Sequence, residues 1–145
     1  MVHPRHILVV NCLVRNAEQH LLLVRHKIRG WELPQGRVEE GEALLEALQR
    51  EVFEETGVTI EAPRPAVVWS KISEPAAVIF CFLADYASGK LVPSEETPDV
   101  AWVPEKNVLP MISHPVNRDR LTALLEHEGE LQFRSYATNP YRILS

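Results

Sequence analysis

Branched aliphatic residues fall in two runs near the start of the chain, Ile7 to Val14 and His20 to Val24. The polar Arg15-Asn16-Ala17-Glu18 between them is hairpin-loop material. The pattern predicts two paired strands. Gly30 to Pro34 reads as a short strand stopped by its proline, and Gln35 to Gly41 reads as a loop. From Glu42 to Thr56 the period changes: no Pro or Gly interrupts, Leu45, Leu48 and Val52 recur at helical spacing, and Gly57 is placed to close the helix in a left-handed cap. Val58 to Ile60, Ala66 to Trp69 and Ala76 to Tyr86 then read as strands separated by Pro63, Pro65 and Pro75, with a turn at Ser88-Gly89 and a further strand from Val100 to Val103. Arg118 to His127 carries Leu121, Leu124 and Leu125 on one side, a second amphipathic helix with Asn117 as its cap. Leu131 to Ser145 has no readable period. Strands, helix, strands, helix is the order of an α/β (α+β) domain with helices packed on a mixed sheet.

The first helix carries acids where local energetics disfavours them. At about 100° per residue, Glu51, Glu54 and Glu55 share one face beside the apolar stripe. Like charges at i, i+3 and i, i+4 cost about 0.2–0.5 kcal/mol per pair, and the negative end of the helix dipole adds about 0.3–1 kcal/mol for each acid near it. Two readings account for them. One is a solvated acidic face, helped by a Glu46 to Arg50 pair; the other is a cradle for a hard divalent cation, because Mg²⁺ takes oxygen ligands from a few carboxylates and the phosphates of a substrate.

At 145 residues the chain has the length of one domain, 1–145, and its 46% hydrophobic and 24% charged content sets aside disordered, collagen-like and coiled-coil classes. The net charge of -5 disfavours long nucleic acid and anionic lipid, but a local basic patch can still take a small polyphosphate. Arg25-His26-Lys27 with Arg29 is the one such cluster, so Arg25, Lys27 and Arg29 are candidate substrate contacts, against a plain solvated loop. Trp31, Trp69, Phe80 and Tyr136 are candidates to stack on a base, against a core role for each. Cys12 and Cys81 sit in apolar runs and read as small buried hydrophobes, and the six histidines show no metal spacing. No run approaches the roughly 18 apolar residues of a membrane helix, so the expectation is a cytoplasmic protein without a membrane partner.

Gly36, five residues, Glu42, seven residues, then Arg50-Glu51-Val52-Phe53-Glu54-Glu55-Thr56-Gly57-Val58 resembles the signature of the Nudix hydrolases, the box covering residues 36–58. The resemblance implies a Nudix-type α/β/α sandwich with a central mixed sheet, and Mg²⁺- or Mn²⁺-dependent hydrolysis of a nucleoside diphosphate linked to another group by water attack at phosphorus. It implies that Glu51, Glu54 and Glu55 bind metal with the carbonyl of Gly36, while Glu42 and Arg50 hold loop and helix by an ion pair. Family members often draw a further acid from a later loop, where Glu96 is similar in position and Glu95 and Asp99 compete with it. Gln35, where many members have Gly or Ala, resembles members acting on capped RNA 5′ ends or dinucleoside polyphosphates, and Glu32-Leu33-Pro34 resembles ADP-sugar pyrophosphatases. The substrate expected is therefore a small nucleotide derivative, with a capped RNA 5′ end kept open and a second copy of the chain a candidate partner. The competing reading is a catalytically silent Nudix-like module that binds a nucleotide for regulation, which has no need of the acids.

Overall fold

The structure, a computed structural model, describes residues 2–145. In chain order its elements are β1 (Ile7–Arg15), β2 (His20–His26), β3 (Gly30–Glu32), β4 (Gln35–Arg37), α1 (Leu44–Thr56), β5 (Thr59–Lys71), β6 (Ala77–Ser88), β7 (Asp99–Pro104), α2 (Glu105–Met111), α3 (Pro115–Leu125), β8 (Gln132–Ala137) and β9 (Arg142–Ile143). β1 is central. It runs parallel to β6 from Ile7 opposite Ala77 to Arg15 opposite Asp85, and antiparallel to β4 through Val9–Arg37, Val10–Gly36 and Asn11–Gln35. β2 pairs with β1 only near the hairpin and extends the sheet to β3 and β7, while β5, β8 and β9 extend it on the other side.

Successive residues of a strand point to opposite faces, and both faces of this curled, mixed sheet are covered. α1 packs Ala47, Leu48 and Val52 against Val10, Cys12, Val14 and Leu22. α2 and α3 pack Val108, Ile112, Leu121 and Leu124 against Leu13, Leu21, Leu23 and Trp69 on the other side. Two cores explain why β1 and β2 read as unbroken apolar runs rather than alternating ones, each buried leucine contributing about 1.5–3 kcal/mol. This is the α/β/α sandwich expected.

Several boundaries differ from the sequence reading, each for a physical reason. Gln35–Arg37 is a strand, because its backbone finds partners on β1 that no local pattern reveals. α1 starts at Leu44 rather than Glu42, and Leu45 is 52% exposed, so the buried stripe is Ala47, Leu48 and Val52 with Glu55 and Thr56 after them. The segments at 58–60 and 66–69 belong to the single strand β5, which absorbs Pro63 and Pro65 through register shifts between Glu61 and Arg64 and between Pro65 and Val67. α2, seven residues with Pro110 inside, is too short to show a period. α3 opens at Pro115, so Asn117 lies within its first turn and is buried instead of capping it. The tail forms β8 and β9. Cys12 and Cys81 are buried free thiols in different cores, and burial pushes Cys81 up to about 12.

Gly57 ends α1 at φ 81°, its N–H donating to the Phe53 carbonyl at 2.8 Å, and a Cβ there would run into the Lys90 carbonyl. Gly57→Ala is therefore expected to lower stability by more than about 1 kcal/mol, measured by urea unfolding. An unchanged midpoint would show that the 90–92 segment yields freely.

Candidate active site

The acids of α1 differ in burial because they sit at different angles to its apolar stripe. Glu55 lies seven residues after Leu48 on the core side and is 8% exposed. Its carboxylate accepts the Gln35 backbone N–H at 2.8 Å, and burial pushes its pKa up to about 8 against that hydrogen bond. Glu51 is raised too, again by burial first, with Arg50 opposing and the charges of Glu54 and Glu96 adding. Glu54 is exposed.

Arg50 connects these acids to the loop before the helix. Its Nε and Nη2 donate to the two oxygens of Glu42 at 2.6 and 2.8 Å, Nη2 also reaches the Arg37 carbonyl at 3.1 Å, and Nη1 donates to Glu51 at 2.8 Å and Glu54 at 3.3 Å. Glu46 is not among its partners, so the intrahelical pair does not form. Glu42 is held down to about 2 chiefly by the Arg50 hydrogen bond, with the Glu39 N–H second. With the guanidinium between Glu51 and Glu54, no three His, Cys, Asp or Glu side chains among the described residues converge at metal-ligating spacing. Gly36 on β4 faces the Glu51 carboxylate so closely that a Cβ would overlap it.

Glu96 and Glu95 are exposed on a loop fastened to α1: the buried Thr97 donates its hydroxyl to the Glu55 carbonyl at 3.1 Å, and the Lys27 N–H donates to the Glu96 carbonyl at 3.3 Å. Asp99 and Arg25 are occupied by each other at 2.5 Å. Of the basic cluster only Arg29 points toward a cleft; Arg25 and Lys27 do not line it.

That cleft, of 310 Å³, lies between β4 and α3, bordered by Val9, Gln35, Val116, Asn117, Arg120 and Tyr136 among others. Behind it Glu32, 1% exposed, accepts hydrogen bonds from Arg29 at 3.0 and 3.2 Å, from Asn117 Nδ2 at 3.1 Å and from the Gln35 side chain. Gln35 in turn accepts from Arg120 Nη1 at 3.0 Å. Its backbone thus touches an acid of α1 and its side chain borders the cleft. Of the stacking candidates Tyr136 borders the cleft but is itself core at 3% exposure, its ring against Trp69, which is core at 1%, while Trp31 and Phe80 pack against the two cores. Glu32, Asn117 and Arg120 went unread as site residues. The available signal was polar Asn117 and Arg120 three apart on the inner face of α3, once Pro115 is recognised as the first helical residue.

The NUDIX domain family model matches residues 5–125, and the chain belongs to that family. Among curated relatives it is 34% identical to the 8-oxo-dGDP phosphatase NUDT18 of Danio rerio over 74% of this chain, but it spans only 35% of that protein's length. It is 26% identical to the uncharacterized Nudix hydrolase YvcI of Bacillus subtilis, covering 94% of this chain and 90% of the relative. Among solved structures a MutT protein from Bacillus halodurans superposes with TM-score 0.80 at 27% identity, covering 96% of this chain and 95% of that one.

The raised Glu55 carboxyl links stability to pH. The folded state keeps a proton that the unfolded chain releases above its ordinary 4.5, so this contribution is full below that value and is lost as pH rises toward 8. Glu42, already ionised, is constant over that window, and His114, lowered by burial, acts in the opposite direction. Both are common to a Glu55→Gln variant. In EDTA, the variant's Tm should gain on the wild type between pH 5 and pH 8, by on the order of 5 °C. A constant difference across the range would show that Glu55 stays ionised.

Proposed function

We propose that this chain is a divalent-metal-dependent pyrophosphohydrolase that cleaves a small nucleoside diphosphate derivative by water attack at phosphorus. The observation that carries the reading is the close approach of Gly36 to Glu51 beside the buried Glu55. It sets a main-chain strand without side chain against hard oxygen donors on one helix face. The donor chemistry suits Mg²⁺ or Mn²⁺, with Glu51, Glu54, Glu55, the Gly36 carbonyl and, from its loop, Glu96 as the groups to hold it. A bound divalent ion supplies neutralisation of charge on the phosphoryl oxygens and a more acidic water.

The chain's own residues do the rest. Glu55, buried and anchored to the Gln35 N–H, has a carboxyl able to take up a proton near neutral pH. Arg50 fixes β4 and the 37–42 loop to α1 through its two-pronged contact with Glu42, and its remaining arm lies on Glu51 and Glu54, where a cation would compete with it. The cleft beyond Gln35 takes the organic part of the substrate, with Arg29 and Arg37 among its lining residues. The zebrafish relative's name concerns an oxidised nucleoside diphosphate and the Vibrio relative is named NAD-capped RNA hydrolase NudC, both nucleotide diphosphate chemistry.

Activity against nucleoside triphosphates, ADP-ribose, dinucleoside polyphosphates and capped RNA, with and without Mg²⁺, tests the reading. Hydrolysis is expected for at least one of them, abolished by EDTA, and lowered more than tenfold in kcat by Glu54→Gln with the fold retained. Binding without turnover of any of these would favour the silent regulatory module. Arg50→Lys keeps the charge but loses the fork, so it should raise the metal concentration for half-maximal activity and lower kcat, whereas Glu46→Ala should change neither. Matching, negligible effects of the two substitutions would remove Arg50 from the machinery.

A further inference from the structure

α1 has no basic residue in its last turn, and its terminal carbonyls are met by the 92–97 segment instead. The Val92 N–H donates to the Thr56 carbonyl at 2.8 Å, and the Thr97 hydroxyl donates to the Glu55 carbonyl at 3.1 Å. Between these two contacts the segment carries Glu95 and Glu96, both exposed, and the charge of Glu96 bears on Glu51. The need to cap a helix end explains the two hydrogen bonds. It does not explain acids on the loop that makes them, because the negative end of α1 already holds Glu51, Glu54 and Glu55 and repels another carboxylate. Glu96 stays there only if something holds it.

Thr97 does so through a closed set of hydrogen bonds. It is fully buried, and its single hydroxyl proton goes to the Glu55 carbonyl, which can only accept. The Ser94 hydroxyl, 2.6 Å from Thr97 Oγ1, must then be the donor of that pair. Ser94 Oγ in turn accepts the Thr97 N–H at 3.1 Å, and the Thr97 carbonyl accepts the Ser94 N–H at 3.0 Å. Residues 94–97 therefore form a small ring with one side-chain attachment to α1. On its far side the Glu96 carbonyl accepts the Lys27 N–H at 3.3 Å from the turn between β2 and β3. The attachment falls on Glu55, the residue whose carboxylate accepts the Gln35 N–H, so the backbone that presents Glu55 also anchors the loop that presents Glu96.

We infer that Thr97 is a positioning residue whose hydroxyl, oriented by Ser94 and donated to the Glu55 carbonyl, holds Glu96 against the acids of α1 for divalent-cation binding. The inference rests on the metal reading of those acids given under the proposed function. Two substitutions separate it from a packing role. Valine fills the space of threonine without the hydroxyl, and serine keeps the hydroxyl without the methyl group.

The test is Mn²⁺ binding to the full chain without nucleotide, followed by the electron paramagnetic resonance signal of the free ion. Glu96→Gln should weaken binding about tenfold, Thr97→Val about fivefold and Thr97→Ser by less than about twofold. In a Glu96→Gln background Thr97→Val should add less than about twofold, because the group it positions is gone. In EDTA the Ser94 amide should exchange with deuterium faster in Thr97→Val than in the wild type or Thr97→Ser. If the valine variant does not fold, Ser94→Ala, which leaves the bond to Glu55 but removes the group that orients it, takes its place in the same cycle. Equal weakening by Thr97→Val in both backgrounds would make Thr97 a packing residue and overturn the inference. So would an unchanged affinity in Thr97→Val or in Glu96→Gln, or serine weakening binding as much as valine. A wild-type chain that binds no Mn²⁺ would sink the metal reading itself.

Discussion

Three carboxylates near the negative end of a helix repel one another; the guanidinium of Arg50 holds two of them, Glu51 and Glu54, and the Gln35 backbone N–H holds the third, Glu55. Two of the guanidinium nitrogens grip Glu42 and a third divides its hydrogen bonds between Glu51 and Glu54. The first contact ties the helix to the loop leading out of β4; the second compensates charge that local helix energetics would disperse. Because Gly36 has no side chain, β4 can lie against Glu51, and Gln35 can give its backbone N–H to Glu55. Remove the Arg50–Glu42 grip and the strand, the loop and the acids lose their common frame.

The two faces of the sheet divide the work. α1 brings acids to one side of β4, and α3 brings Asn117 and Arg120 to the other, so a three-residue strand separates an acidic centre from a cleft lined by apolar, amide and basic side chains. Gln35 belongs to both through different atoms. That economy follows from strand alternation: adjacent residues face opposite ways, and their backbones remain available to either side.

Electrostatics differ sharply over short distances. Glu42 at about 2 and Glu55 at about 8 are both glutamates bonded to β4 or its following loop, yet one is gripped by a guanidinium and the other buried with a single N–H. Separation of this kind gives chemically identical side chains different tasks, one structural and always charged, the other able to exchange a proton near neutrality.

Much of this was legible in the chain itself. The spacing from Gly36 to Val58, the uninterrupted helical period, the glycine at its end and the acid crowding all depend on neighbours within a few turns, and such local terms are written in the order of residues. Even the burial of Glu55 follows from its place seven residues after Leu48. What only the tertiary structure decided are pairings across long separations: β4 as a strand on β1, β5 running through two prolines, and Arg25 occupied by Asp99, whereas the Arg50–Glu42 pair was already implied by the resemblance. Glu32, Gln35, Asn117 and Arg120 meet across 85 residues of sequence. Which donor finds which acceptor there depends on how α3 settles on the sheet, and that is set by the packing of two cores rather than by any local pattern.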